Sequence, residues 1–184
     1  MGDDNYRELA TYKAHAIGLS DRWSAFRSRR EDMLAQARRF GAVPEKATEI
    51  IVGTLLTEVL DWTTHDLNWQ LAYADLVVTR NYCKHLLIET KRPGTLCTKR
   101  DAIIRACEQA HRYASEQHVK TIAVSDGYIL RALDVADGGL RIRCTIALDD
   151  PAPPADPLWW ISVHGIYRAP PAAAGSDPYS ISTS

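Results

Sequence analysis

LAYADLVVTRNYCKHLLIETKRPG, spanning Leu71–Gly94, is the stretch whose reading decides the fold. Two β-branched and aliphatic runs, LAYADLVV and HLLIETK, flank the polar segment TRNYCK, and this pattern predicts a β-hairpin. Both runs carry charge where a strand would ordinarily be apolar. Asp75 interrupts the first, while Glu89 and Lys91 close the second, two apart and therefore on one face of a strand. Two carboxylates can hold a divalent cation through oxygen ligands, and an ammonium beside them can orient or deprotonate a water.

Upstream of the hairpin, Pro44 opens a helix at its first turn, where a missing N–H costs nothing, and the pattern continues to about Asp61. Glu49 lies in register with Val52 and Leu56 on the apolar face, so its carboxylate needs a partner; Glu58, near Leu55 and Ile51, is the competing inward acid. A further helix precedes it, capped by Ser20 or Asp21 and stopped at Gly41. Its apolar stripe is Trp23, Phe26, Met33, Ala37 and Phe40. Six arginines decorate that helix, at positions 22, 27, 29, 30, 38 and 39. They can follow a phosphate backbone or, interleaved with Glu31 and Asp32, form a solvated face.

Downstream, a helix is expected over about residues 99–116, with Gln109 and Tyr113 one turn apart on a side otherwise made of Ala102 and Ala106. The segment VKTIAVSDGYILRALDV reads as strand, turn and strand with Ser125, Asp126 and Gly127 in the turn. LRIRCTIAL adds another strand after Asp137-Gly138-Gly139. Proline-rich DDPAPPADP predicts a loop, and WWISVHGIY a further strand in which His164 packs or faces solvent. The tail RAPPAAAGSDPYSISTS has too few large apolar residues to order itself. The expected organisation is therefore residues 1–43 as an N-terminal helical extension, 44–150 as the core, 151–168 as a proline-rich loop with an additional strand, and 169–184 as a disordered tail.

With 184 residues, of which 46% are hydrophobic, the chain can bury one sizeable core. A net charge of −1 supplies no global field for nucleic acid, so any such partner must meet a local concentration of cations. Lys84, Lys91, Arg92, Lys99, Arg100 and Arg105 lie close in sequence to the carboxylates, although a charge run alone also reads as a solvated face. No run of 18 or more apolar residues and no apolar leader occurs, which leads to the expectation of a cytoplasmic protein without a membrane partner. Cys83, Cys97, Cys107 and Cys144 form no C-x-x-C pair, consistent with free thiols.

The order of these elements resembles the core motif of the PD-(D/E)XK nuclease superfamily, and most of all the N-terminal nuclease domain of type I restriction enzyme R subunits and its stand-alone relatives. The likeness covers about residues 45–135: a helix with an inward Glu, a strand with Asp75, a strand with Glu89-x-Lys91, a helix with a Gln-x-x-x-Tyr pair, and a strand ending in a tight turn. Two departures stand out. Tyr73-Ala74-Asp75 lacks the proline that often precedes the Asp, and Ser125-Asp126-Gly127 replaces the usual Thr-Asn-Gly.

The resemblance implies an α/β fold, a three-layer α/β/α restriction-endonuclease-like core around a mixed sheet. It implies an Mg²⁺-dependent endonuclease, with Mn²⁺ able to substitute, acting on nucleic acid, most readily DNA, in bacterial restriction or anti-phage defence. Asp75, Glu89 and the Thr90 carbonyl would hold a metal, with Glu49, favoured over Glu58 by the resemblance, completing the set. Lys91 would position the attacking water or stabilise the pentavalent phosphate, and Gln109 would hold Lys91 or that water. No Walker A motif is present, so a motor would have to come from another chain. Cutting both strands with one site per chain favours a homodimer or a defence-complex partner. The alternative is an inactive nuclease-fold module that binds nucleic acid or assembles with a partner protein.

Overall fold

The computed structural model describes residues 5–40, 44–71, 74–96 and 100–171. After a 3₁₀ turn at Tyr6–Glu8 come α1 (Ala10–Ala16), α2 (Leu19–Phe40) and α3 (Pro44–Glu58). A second 3₁₀ turn at Thr64–Asp66 leads into β1 (Leu67–Trp69), β2 (Leu76–Arg80) and β3 (Cys83–Thr90). Then follow α4 (Arg100–Gln117), β4 (Thr121–Ser125), β5 (Ile129–Ala136), β6 (Gly139–Ala147) and α5 (Ala155–Ile161). The protein is α/β, with five α-helices and a six-stranded mixed sheet among the described residues.

The strands lie in chain order from β1 to β6, and every neighbouring pair is antiparallel except β3 and β4. That parallel pair follows from connectivity, because a crossover element is needed to return the chain to the same end, and α4 supplies it. The β2–β3 hairpin closes through Asn81 and Tyr82, both left-handed at φ 52° and 64°, the two-residue turn whose twist matches that of the strands. The expected first strand begins later than its apolar run. β1 instead pairs with β2, and Asp75 stands just before the first paired residue, Leu76.

Helices cover both faces of the sheet. On one, Ala106, Cys107, Ala110 and Ala114 of α4 pack on Val77, Leu87, Ile122 and Val124; the small side chains let the helix lie close to the strands. On the other, Trp23, Phe26 and Leu34 of α2 join Val52 and Leu55 of α3, and Leu158 and Ile161 of α5, against Leu86, Ile88, Ala132 and Ile146. Each fully buried aromatic or aliphatic side chain contributes roughly 1.5–3 kcal/mol. β4 is buried at every position, as expected for a central strand covered on both sides.

Two expectations are corrected. Within the expected extension of residues 1–43, α2 does not stand apart from the core, because Trp23 and Phe26 are wholly buried within the cluster that includes the sheet. The segment expected as an additional strand at 151–168 is instead helical over Ala155–Ile161. Its β-branched and aromatic composition favours a strand, but Leu158, Trp159, Trp160 and Ile161 are all buried in succession, which an alternating surface strand cannot achieve. Pro157 falls in the first turn of α5, where the lost N–H is harmless. The expected tail lies outside the described residues from 172 onward, as do Tyr73, Cys97 and Lys99, the last being the first residue of the helix expected over 99–116. No helix among the described residues is long and apolar enough to cross a membrane.

Candidate functional site

The carboxylates gather where β3 and β4 end side by side, the edge at which open α/β sheets place their ligands. Glu89 is the penultimate residue of β3, opposite Val124, and Thr90 lies opposite Ser125. Lys91 leaves the strand but remains tied to it: its N–H donates to the Ser125 carbonyl at 2.8 Å, and its own carbonyl accepts from Thr48 Oγ1 of α3, also at 2.8 Å. Both ends of the Lys91 peptide are thereby held by different elements.

Asp75 reaches across the hairpin. One oxygen, Oδ2, accepts from the Thr90 N–H at 2.7 Å and from Thr90 Oγ1 at 2.8 Å. Glu89 is only 3% exposed; its Oε1 accepts from Lys91 Nζ at 2.7 Å, and its Oε2 is buried without any hydrogen-bond partner. Lys91 Nζ also donates to Gln109 Oε1 of α4 at 3.1 Å. The ammonium is therefore aimed by one group from the sheet and one from the crossover helix.

Burial pushes the Glu89 carboxyl above the ordinary carboxylate range; the nearby negative charges of Asp75 and Glu45 push the same way, against the opposing hydrogen bond and charge of Lys91. Folded Glu89 thus keeps its proton to higher pH than the unfolded chain does. Its ionisation opposes folding, and the stability it contributes falls as pH rises from the ordinary value of 4.5 through the raised one. Glu89→Gln retains an acceptor for Lys91 without the charge. It is expected to stabilise the metal-free protein at neutral pH and to flatten this part of the pH dependence. Urea midpoints measured from pH 4 to 8 check it, and parallel profiles for the two proteins would refute the burial argument.

The structure brings Asp75, Glu89, Thr90, Lys91 and Gln109 together. Glu49 is spent differently, its Oε2 accepting from Lys46 Nζ at 2.5 Å on its own helix. Glu58 pairs with Arg29. The α3 acid whose charge acts on Glu89 is Glu45, in the first turn, which sequence reasoning passed over. No pattern in the sequence marked it: Glu45 is one turn before Thr48, and only the folded chain shows that Thr48 grips the Lys91 carbonyl. Tyr113 packs half-buried against the α4 side of the core.

Two supports were also invisible in the motif. Asp126 is fully buried and accepts from the backbone N–H groups of Leu96, Tyr128 and Ile129, so it ties the loop after Lys91 to the turn after β4. Gly127, at φ 78°, sits where an added Cβ would come within 3.3 Å of Ile51 and 3.5 Å of Thr48, so a side chain there would crowd the Ile51 methyl as well as strain the left-handed backbone. Arg30 reaches this corner from α2: buried, it donates to the Gly127 carbonyl at 2.6 Å and lies over the Tyr128 ring. Arg22 and Arg29 likewise bond within the chain, to Asp61 and Glu58. Arg30, being buried, fits neither the solvated-face nor the phosphate-tracking reading, whereas the exposed Arg29 makes its ion pair on a solvated face.

A divalent ion is tested against these residues by the orphaned Glu89 Oε2. A buried carboxylate oxygen without a donor, beside a second carboxylate, is a fit for a hard cation. The available set is small: among the described residues no three His, Cys, Asp or Glu side chains converge closely enough to hold a metal by themselves. Backbone oxygen and water would complete the coordination. No family model matches the chain, and neither a curated protein nor a solved structure matches it.

Proposed function

We propose that this chain is a divalent-cation-dependent endonuclease of the PD-(D/E)XK type, with a three-layer restriction-endonuclease-like core, hydrolysing phosphodiester bonds of DNA. The observation that carries the reading is the Lys91 ammonium clamped between Glu89 and Gln109, next to a buried and unpartnered Glu89 oxygen. A structural ion pair has no need to strand an oxygen in this way. Restriction or anti-phage defence in a bacterial cytoplasm is the setting that goes with the reading, and a second copy or a partner chain would serve double-strand cutting.

Asp75, Glu89 and the Thr90 carbonyl are the groups that would hold Mg²⁺ or Mn²⁺. The cation, when bound, would supply positive charge to the phosphate oxygens and acidify the attacking water. Thr90 orients Asp75 by two hydrogen bonds, which keeps that carboxylate on the hairpin side of the site. Lys91 directs its N–H bonds towards the attacking water and the negative charge that grows on the phosphate, and Gln109 fixes the ammonium for that task. Water attacks phosphorus and gives up a proton to solvent, the bond to the leaving oxygen breaks, and that oxygen departs with a proton from solvent.

A second reading, a module of the same fold that binds nucleic acid without cutting it, is favoured by the smallness of the carboxylate set. Calorimetry with Mg²⁺ or Mn²⁺, run beside plasmid digestion with and without EDTA, separates the two. Heat of binding is expected in the wild type and should vanish in Asp75→Ala; binding that persists there removes Asp75 from the site. Asp75→Ala also deprives the Thr90 N–H of its acceptor, so circular dichroism must show that the variant is folded. A wild type that binds DNA but never cuts it leaves the second reading standing.

A further inference from the structure

At the opposite end of β3 lies a cavity of about 540 Å³, lined by Tyr82, Lys84, His85, His118, Lys120 and Tyr167 among others, with no carboxylate in its wall. Lys84 is separated from Glu89 by five strand positions, roughly 17 Å, so the cavity is distinct from the carboxylate site. The register of β2 and β3 shifts there, with Val78 opposite Leu86 but Thr79 opposite Lys84, so His85 is an extra residue that turns the end of the strand outward. His85 carries the Tyr167 ring edge-on, with centroids 4.8 Å apart, and Lys84 is steadied by Gln117 Oε1 at 3.3 Å. Neither Lys84 nor Lys120 has an ion-pair partner among the described residues.

Tyr82 is the telling residue. It occupies the second position of the hairpin turn in left-handed backbone, φ 64°, where glycine is the usual occupant, and its side chain is fully exposed. A tyrosine there strains the backbone and gains no burial in return. Strain retained without a packing gain marks a residue kept for contact with something else.

We propose that this cavity binds a nucleobase with its attached phosphate, the base stacking on Tyr82 and Tyr167 and the phosphate meeting Lys84 and Lys120. Aromatic faces beside unpaired cations are the elements by which proteins hold unpaired nucleotides without reading sequence. Two sources share that chemistry, a free mononucleotide and a single strand. The site goes beyond the nuclease reading and does not depend on it, because binding needs neither metal nor cleavage.

The test is fluorescence anisotropy of a labelled oligothymidylate in EDTA, with unlabelled thymidine monophosphate as one competitor and inorganic phosphate as another. Tyr82→Gly is expected to weaken binding on the order of tenfold. The same change should raise the melting temperature by about 2–4 °C, as relief of turn strain requires. Lys120→Glu should weaken binding comparably and lower the salt dependence by about one phosphate contact. Displacement by the mononucleotide assigns a free nucleotide, and displacement by oligomer alone assigns a strand; either supports the proposal. Unchanged affinity in Tyr82→Gly, no binding by the wild type, or displacement by inorganic phosphate as efficient as by the nucleotide would overturn it. Loss of cleavage in Lys91→Ala with this binding intact would show that the two sites stand or fall separately.

Discussion

Lys91→Ala is expected to bind Mg²⁺ and DNA yet cut at least about 100-fold more slowly, the usual loss when one preorganised charged donor is removed from a developing negative charge. The geometry makes this residue hard to replace. Its ammonium is held at 2.7 Å from Glu89 and 3.1 Å from Gln109, and its peptide is fixed by Ser125 on one side and Thr48 on the other. Water entering the vacated space would not be aimed in the same way. Metal affinity should survive, because the ammonium is no ligand and its removal releases Glu89 Oε1. Without metal, the variant leaves the buried Glu89 without its counter-charge, so it should be less stable than wild type and recover when Mg²⁺ is added. Single-turnover cleavage together with calorimetry reads both effects. Cleavage at the wild-type rate would refute the mechanism even with the metal site intact.

Arg143→Ala is expected to cost about 3–5 kcal/mol of stability, the scale for breaking a buried ion pair by removing one partner. Arg143 projects from β6 with its side chain 3% exposed. Its Nη1 donates to both oxygens of Asp134, its Nε to the Trp160 carbonyl at 2.9 Å, and its Nη2 to the carbonyls of Gly165, Ile166 and Arg168. One guanidinium thus serves carbonyls at the end of α5 and in the segment beyond it. The segment holds Ile166 and Tyr167, so the variant should also disturb the cavity they line. Urea unfolding followed by circular dichroism measures the loss. A loss below about 1 kcal/mol, that of a single ordinary hydrogen bond, would mean that water replaces Arg143 at those carbonyls.

The hairpin, the two helices before it and the crossover helix after it were legible from the chain because local patterns determine them: β-branched runs around a turn, a proline at a helix start, an apolar stripe at helical spacing. The placing of Asp75, Glu89 and Lys91 at one sheet edge was legible for the same reason, since a hairpin and an i, i+2 spacing leave little freedom. Gln109 was found only through its place in the motif, and its bond to Lys91 depends on how α4 lies across the strands.

Tertiary packing decided the rest. WWISV has the composition of a strand, yet Trp159, Trp160 and Ile161 end a helix, because burial of four successive side chains, Leu158 to Ile161, against β6 and the N-terminal aromatics outweighs intrinsic preference. The assignment of Glu49 followed helical periodicity, which says which face an acid lies on but not what stands opposite it; Lys46 took that carboxylate, and the charge that acts on Glu89 came from Glu45. Arg30, read as one of the charges decorating its helix, is buried, and so is Arg143, because both bond backbone carbonyls, which every residue carries and no sequence pattern distinguishes. What the sequence alone determined was the set of local elements and the charged groups on them. Only the folded chain decided which of those groups face one another, since Coulomb and hydrogen-bond energies depend on distances between residues far apart in sequence.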